Sequence, residues 1–426
     1  MKNEPIYCVG TGIMSSIGSN TQQFLESLRH GKSGISWLNG YDNIELPMRI
    51  AAEIPNFSFN NKLGEYVLPE EIIQKANSVA RRAPFTIQTS VMSALEAWQQ
   101  AQLSENRIEP ERIGLVVAAQ NTTQNYQFML RAKFNTSPEY LSPRYALQFL
   151  ETDQVGVISE LFNIRGEGFV VGGASASGNV AIIKAQQLIQ AGIVDVCLVV
   201  GVVADLSPMD IHGFYNIGAM GAREFMNKPK EASRPFDKQH EGFIYGQSSA
   251  CLILESAKSL TNRKSCPSVQ LLGGVLRLSA SSTAEPCVHT EITTMRAAIE
   301  QCSISSSMIE YINAHGSSSP LGDSVEAEAI AGVFGKYPKD LFINSTKGLT
   351  GHCLYSAGVV EAIATILQMQ YNFLHPNENL ENPISDHLTF CGRLAVDKKI
   401  NYAMSNSFGF GGINTSIIFK SLNDLM

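Results

Sequence analysis

The chain has 426 residues, which is enough for two or three compact domains or one large composite domain. A hydrophobic content of 44% and a charged content of 17% are ordinary for a globular protein and exclude a disordered or fibrous chain. The formal net charge of -7 argues against a general nucleic-acid-binding protein.

The first residues and the longest apolar run lack the features of a targeting or membrane segment. "MKNEPIYCVGTGIM" carries Lys2 and Glu4 before a short apolar stretch that glycines interrupt. "AGIVDVCLVVGVVADL" contains Asp195 and Asp205 and is too short to span a bilayer. We therefore expect a cytoplasmic protein that does not bind membranes.

The eight cysteines are scattered singly, without a Cys-x-x-Cys pair. This spacing disfavours a zinc site or a redox motif. Several cysteines lie inside apolar runs, where a thiol is an inert core side chain. The sequence therefore predicts no metal site.

Short apolar runs bounded by glycine or polar residues recur along the chain and indicate buried strands. In order they are "IYCVGTGI", "IGLVVAAQ", "VDVCLVVGVVAD", "ACLILES", "YINAHGS", "LFINSTK" and "NTSIIF". Longer segments with helical spacing lie between them. In "ASGNVAIIKAQQLIQAG" the apolar residues share one face, which Lys184, Gln186, Gln187 and Gln190 avoid, and Gly192 is a natural stop. Such alternation predicts an α/β fold with buried sheets.

Two strand-to-helix corners are alike. "VVGGASASGNVAII" and "SAGVVEAIATILQ" both place small residues before an apolar helix. We take this similarity as a sign of internal duplication, with a boundary near "ACLILES". The predicted halves are residues 1–255 and 256–426.

The first corner has the composition of an active-site turn. Small residues there leave room for a reactive side chain, and the only polar candidates are Ser175 and Ser177.

Three later stretches also combine reactive side chains with small neighbours. "INAHGSSSPLGDSVEAEAI" places His315 after a strand, followed by three serines and by Asp323 and Glu326, which are spaced to share a helical face. "NSTKGLTGHCLYSAG" carries Lys347 and His352. The glycine-rich turn "NSFGFGGIN" holds two phenylalanines, Phe408 and Phe410.

Together, "HGSSSP", "STKGLTGH", "RPFDKQHEGF" and "SNSFGFGGIN" resemble motifs of the β-ketoacyl-[acyl carrier protein] synthases, and the resemblance runs nearly end to end. It implies a thiolase-like fold, with two similar α/β halves in five alternating layers (αβαβα), and a homodimer. It also implies a substrate on the phosphopantetheine arm of an acyl carrier protein, with no cofactor bound by the enzyme itself.

The resemblance also implies roles for individual residues. His315 and His352 correspond to the family's histidine pair, and Lys347 to the cation that supports them. Ser317 and Ser319 stand where the family usually has threonines that contact the arm.

In the glycine-rich turn, Phe410 corresponds to a gating phenylalanine, and its backbone N–H would form an oxyanion hole with that of Ser175. Phe408 is assigned to substrate binding, with a core position as the alternative. Asp323 and Glu326 are expected to cap and orient their helix rather than to transfer protons.

A basic segment, "QKANSVARRAPF", resembles by position the surface on which acidic carrier proteins dock. It contains Lys75, Arg81 and Arg82, and charge complementarity would speed the encounter. The alternative is a solvated helix face.

The sequence departs from the family at the corner itself, where Ser175 takes the place of a cysteine. A cysteine thiol, with a pKa of about 8.5, is readily activated at a helix N-terminus. A serine hydroxyl is far less acidic, and a helix dipole contributes only about 0.3–1 kcal/mol. Ser175 would therefore need a general base to act as a nucleophile.

Condensation requires a covalently held acyl group and an enolate made by decarboxylating a malonyl thioester. The chain lacks the usual residue for the first task and keeps two histidines that can stabilise an enolate. We therefore expect malonyl-carrier protein to be converted into acetyl-carrier protein. This pattern resembles the serine-variant ketosynthase-like decarboxylases of polyketide β-branching cassettes.

Two other functions stay open at this point. Ser175 could be a working nucleophile of an acyltransferase, with a histidine as its base. Alternatively, the chain could be a non-catalytic partner of an active synthase, like a chain-length factor.

A further departure from the family places Gln247 where a glutamate is common.

Overall fold

The computed structural model describes residues 4–41, 44–105, 108–263 and 266–422. Its strands are β1 (Ile6–Ser15), β2 (Ser36–Trp37), β3 (Ile50–Ala51), β4 (Ile113–Ala118), β5 (Gly168–Val171), β6 (Val196–Gly201), β7 (Ser248–Ser256), β8 (Val269–Leu278), β9 (Tyr311–Asn313), β10 (Phe342–Asn344), β11 (Phe373–Leu374), β12 (Val396–Asp397), β13 (Tyr402–Gly409) and β14 (Ile413–Ser421).

The helices are α1 (Thr21–Arg29), α2 (Phe59–Leu63), α3 (Glu70–Ala80), α4 (Phe85–Gln100), α5 (Gln124–Thr136), α6 (Tyr145–Gln148), α7 (Thr152–Phe162), α8 (Ser177–Gln190), α9 (Pro208–Asn216), α10 (Ala257–Arg263), α11 (Val288–Gln301), α12 (Pro320–Phe334), α13 (Lys347–Thr350) and α14 (Ala357–Tyr371). Short 3₁₀ turns, Ala174–Ala176 and Leu354–Ser356, lead directly into α8 and α14.

Ten of the described strands form one sheet whose two halves repeat a single strand order. The first half runs β5-β4-β6-β7-β1 and the second β10-β9-β13-β14-β8. Numbered along the chain within its half, each reads third, second, fourth, fifth, first. The pairings repeat as well, because β4–β5, β4–β6, β6–β7 and β1–β7 have the same directions as β9–β10, β9–β13, β13–β14 and β8–β14. The predicted duplication is therefore visible in the topology, and the boundary at residue 255 stays a prediction.

The layers are held together by two buried helices. α8 packs against β4 and β6 of the first half and against β8 and β14 of the second, and α14 lies beside α8 and contacts β13. On the outer faces, α4 covers β1 and β7, whereas α11 covers β8 and β14. The layers are thus an outer helix, the first half of the sheet, the two central helices, the second half of the sheet and an outer helix, which confirms the expected five-layered α/β fold.

The two central helices touch at their first turns. A Cβ atom on Gly178 would lie 2.5 Å from the backbone nitrogen of Val359, and one on Gly358 would lie 2.5 Å from that of Asn179. Only glycine permits this approach, so the corner glycines set the distance between the halves.

The central position of α8 also corrects one expectation. Gln186, placed by its spacing on the solvent side of the helix, is 2% exposed. A helix packed on both sides keeps only a narrow exposed strip, which here contains Lys184, Gln187 and Gln190. Gly192 follows the helix with a φ of 69°, as expected of a C-terminal stop.

Over the described part of the chain, no helix is both long and apolar enough to cross a membrane.

Candidate active site

A cavity of about 680 Å³ opens beside the first corner. Its walls include seven of the residues that the sequence singled out, namely Ser175, His315, Ser317, Ser319, His352, Phe408 and Phe410. These residues come from both halves of the sheet, and the fold brings them together as the motifs predict.

Ser175 and His352 are in direct contact. The Oγ atom of Ser175 lies 2.8 Å from Nε2 of His352. At the other side of the ring, Nδ1 accepts a hydrogen bond from the backbone N–H of Leu354 at 3.2 Å. A neutral imidazole that accepts at Nδ1 carries its proton on Nε2. His352 therefore donates to Ser175 and does not accept its proton.

The first corner is shaped by close backbone contacts. Ala174 has a φ of 47°, and its N–H donates to Oε1 of Gln120 at 3.2 Å. Gly409 packs on the corner so closely that a Cβ atom there would lie 2.4 Å from the carbonyl oxygen of Gly173. A side chain at position 409 would therefore clash with the backbone of the corner.

His315 is clamped by its backbone. Its N–H donates to Oε1 of Glu326 at 2.9 Å, and the N–H of Gly316 donates to Oε2 at 2.7 Å. Its carbonyl oxygen accepts from Nζ of Lys347 at 2.6 Å. The ring faces that of His352 edge-on, with 5.5 Å between the centroids.

Lys347 is 1% exposed, so it is not a surface lysine. Besides the His315 carbonyl it forms an ion pair with Glu361 on α14. Burial raises the pKa of Glu361 to about 7, an effect that the charge of Lys347 opposes. Lys347 thus reaches the histidine through its backbone, which makes it a positioning residue.

Both histidines are neutral in this environment. Burial lowers the pKa of His315 well below its usual range, and Lys347 and His352 lower it further. Burial also lowers the pKa of His352 well below its usual range, and the charge of Lys347 adds to this effect. The two histidines can therefore supply neutral N–H donors across the physiological pH range.

Ser317 and Ser319 line the cavity, whereas Ser318 between them has a structural role. Ser318 is fully buried, and its Oγ accepts from the N–H of Arg234. Within the described residues, the hydroxyls of Ser317 and Ser319 form no hydrogen bond, so they are available to a substrate. Their contact with a phosphopantetheine arm stays a prediction.

Asp323 and Glu326 share an inward face of α12, as their spacing predicts. They do not cap the helix. Asp323 accepts from the N–H groups of Ser318 and Phe236, and Glu326 holds the backbone at His315. Their helix therefore serves to fix the loop that carries His315.

The phenylalanines of the glycine-rich turn differ in their surroundings. Phe408 is 8% exposed, and its ring centroid lies 5.7 Å from that of His315. Phe410 is 38% exposed, with its ring 6.5 Å from that of Phe214. Phe408 thus packs beside the histidine, and the gating role of Phe410 stays a prediction.

The basic segment lies outside the cavity. Arg81 and Arg82 are exposed at the end of α3, and Lys75 forms an exposed ion pair with Glu160 at 2.6 Å. Gln247 has a structural contact, since its Oε1 accepts from the N–H of Ile54.

Among the described residues, no lysine or arginine lines the cavity. The wall nearest to His352 is aromatic, with the Phe243 ring centroid 5.2 Å from that of the histidine. A carboxylate placed there would lose water without gaining a counter-charge.

Three residues at the site carry no signal in the sequence. Glu361 and Glu291 are single acidic residues inside helical runs, and Tyr355 follows the second corner. Only their packing shows that Glu361 pairs with Lys347 and that the other two line the cavity.

Comparison with known proteins agrees with this geometry. Residues 3–259 match the family "Beta-ketoacyl synthase, N-terminal domain", and residues 278–381 match "Beta-ketoacyl synthase, C-terminal domain". The chain is 33% identical to the polyketide biosynthesis malonyl-ACP decarboxylase PksF of Bacillus subtilis, over 98% of this chain and 96% of that protein. It is 28% identical to 3-oxoacyl-[acyl-carrier-protein] synthase 2 of Coxiella burnetii over the full length of both.

A similar solved structure is a type II polyketide ketosynthase, bound to a hexaketide and in complex with its acyl carrier protein. The TM-score is 0.86 at 23% identity, and the match covers 99% of this chain and all of that one. This likeness supports the thiolase-like fold.

Proposed function

The chain belongs to the β-ketoacyl synthase family, and we propose that it decarboxylates malonyl-[acyl carrier protein] to acetyl-[acyl carrier protein] without a condensation step. The observation that carries the proposal is the His352 tautomer, which aims an N–H donor at Ser175, so that His352 cannot serve as the base of this serine.

The histidines supply what decarboxylation requires. When carbon dioxide leaves, the electrons of the broken C–C bond pass to the thioester, whose oxygen becomes an enolate oxygen. A neutral N–H donor fixed at that oxygen stabilises the developing charge. His352 is fixed by Leu354, and His315 by Lys347 and Glu326.

The cavity wall favours loss of the carboxylate. With no lysine or arginine among its described lining residues, the malonyl carboxylate is desolvated without a cation to retain it. Neutral carbon dioxide has no charge to desolvate. A cavity wall that lacks cations therefore favours the products over the bound carboxylate.

The acyltransferase alternative lacks support, because the contact between Ser175 and His352 has the wrong direction for general-base catalysis. The chain-length-factor alternative leaves two neutral histidines, with Lys347 holding the backbone of His315, without a chemical role. The relationship to PksF supports the decarboxylase among the three.

The proposed substrate is presented on phosphopantetheine by a carrier protein, as in the family. Lys75, Arg81 and Arg82 are the proposed docking residues, Ser317 and Ser319 the proposed contacts of the arm, and polyketide biosynthesis the proposed setting. The expected homodimer also remains a proposal.

The test uses malonyl-loaded acyl carrier protein and, as a probe that needs no cognate carrier, malonyl-pantetheine. We expect intact-mass analysis to show conversion to the acetyl thioester and no acyl adduct on the enzyme. Acetyl-carrier protein added to the same reaction should yield no acetoacetyl product.

Each contrary result identifies another function. Persistence of both malonyl thioesters contradicts decarboxylation and favours a non-catalytic subunit. An acyl adduct on Ser175 supports the transferase, and an acetoacetyl product would mean that the chain condenses.

A further inference from the structure

Glu291 is a buried acid in the cavity wall that the steps above do not use. It lies in the first turn of α11, is 1% exposed and lines the cavity with His315 and Ser317. Its Oε2 atom has no hydrogen-bond partner among the described residues. A buried polar atom left unpaired costs about 1–3 kcal/mol, so this arrangement calls for a functional explanation.

The surroundings of Glu291 favour its protonated form. Burial raises the pKa of its carboxyl well above the usual range, and Glu326 on α12 and Cys287 at the start of α11 raise it further. The strands packed on α11, β8 and β14, add no charged group to these causes. The helix N-terminus favours the anion by only about 0.3–1 kcal/mol, less than the cost of burying an unpaired charge.

Decarboxylation needs a proton donor, because the enolate carbon must be protonated to give an acetyl group. The other described cavity residues that carry an ionisable proton are Glu285, His315, His352 and Tyr355. Burial raises the pKa of Tyr355 to about 12, which makes it a weak acid. The neutral histidines are weaker acids still, and their N–H groups are needed at the enolate oxygen. Glu285 is exposed to solvent.

We propose that Glu291 donates this proton, directly or through one water molecule. Its O–H bond breaks as a C–H bond forms at the enolate carbon, and the thioester C=O bond is restored. The carboxylate left behind then regains a proton from solvent. This inference rests on the proposed decarboxylase function and assigns it a residue that the sequence analysis did not single out.

The decisive measurement is the isotope content of the product. Malonyl-pantetheine is decarboxylated in an equal mixture of H₂O and D₂O, and the ratio of protium to deuterium in the new methyl group is read by mass spectrometry. We expect Glu291→Gln to shift this ratio from that of a carboxyl donor to that of water. The ratio depends on the donor itself and does not change when the fold is merely loosened.

Rates give a second measure. Removing a general acid typically costs about 10²- to 10⁴-fold, and we expect Glu291→Gln to slow acetyl formation by at least about 10²-fold. Because the wild type needs a protonated Glu291, its activity should fall as the pH rises through the raised pKa, and this limb should be missing in the variant. The matched control is Glu300→Gln, an exposed site on the same helix, which should behave as wild type.

The outcomes separate the two proposals. If the wild type releases no acetyl thioester, the decarboxylase function itself is wrong. If the wild type is active and Glu291→Gln has the wild-type isotope ratio and pH profile, the function stands and the proton-donor role is overturned. Thermal unfolding of each variant identifies any loss of activity that comes from misfolding.

Discussion

The two strand-to-helix corners share a backbone and differ in the segment that leads into them. Ala174 and Leu354 begin the two 3₁₀ turns with φ angles of 47° and 49°, and Gly178 and Gly358 meet at the helix starts. In the first half only residues 172–173 separate the strand from the turn, whereas residues 345–353 do so in the second.

The longer segment, residues 345–353, carries the side chains by which the second half contributes to the site. It contains both Lys347 and His352, and these residues act on His315 and on Ser175 of the first corner. At the place of Ser175 the second corner has Tyr355, which follows Leu354 just as Ser175 follows Ala174. One copy of the corner thus carries Ser175, and the segment before the other supplies the histidine that donates to it.

The largest effect should come from replacing Lys347, the buried cation of residues 345–353. Lys347→Met leaves Glu361 buried without its partner, and such a change typically costs about 3–5 kcal/mol in the free energy of unfolding. Urea unfolding measures this loss. The exposed Lys133→Met should change stability by less than about 0.5 kcal/mol.

A double variant tests whether the pair is responsible. Lys347→Met combined with Glu361→Gln removes both charges and should recover part of the stability that the single change loses. Equal losses in the single and double variants would contradict a coupled pair.

The next largest effect should come from removing His352, whose N–H group donates to Ser175 at the first corner. His352→Ala removes the N–H group that donates to Ser175 and that we propose stabilises the enolate oxygen, and loss of one such donor typically lowers kcat by about 10²- to 10³-fold. Acetyl-pantetheine formation is the readout. The exposed His30→Ala serves as the control, and a comparable loss there would mean that the assay reports folding.

A smaller effect is expected where the two corners touch. Gly358→Ala places a methyl group 2.5 Å from the backbone nitrogen of Asn179, and overpacking of this kind typically costs about 1–3 kcal/mol. Thermal unfolding should show a lower Tm. Gly213→Ala in α9 meets no atom within 4 Å and should be neutral or stabilising, because alanine is the better helix former.

The sequence predicts the parts of this site that depend on local pattern. The corners, the strand before His315 and the glycine-rich turn follow from residue type and spacing, and the structure places them as expected. The repeated strand order does not follow, because it depends on pairings between strands far apart in the chain. The Lys347–Glu361 pair, the tautomer of His352 and the burial of Glu291 are likewise tertiary properties.

The smallest effect is expected at the residue that first marks the site. Ser175→Ala removes one neutral hydrogen bond, worth about 0.5–1.5 kcal/mol, so the rate of acetyl-pantetheine formation should change by no more than about tenfold. The direction of the bond is the reason. Since His352 donates to Ser175, the hydroxyl occupies the donor that we propose for the enolate oxygen, and loss of the hydroxyl leaves that donor in place. A fall as large as that of His352→Ala would show instead that Ser175 itself reacts, and the two corners would then divide the chemistry as nucleophile and base.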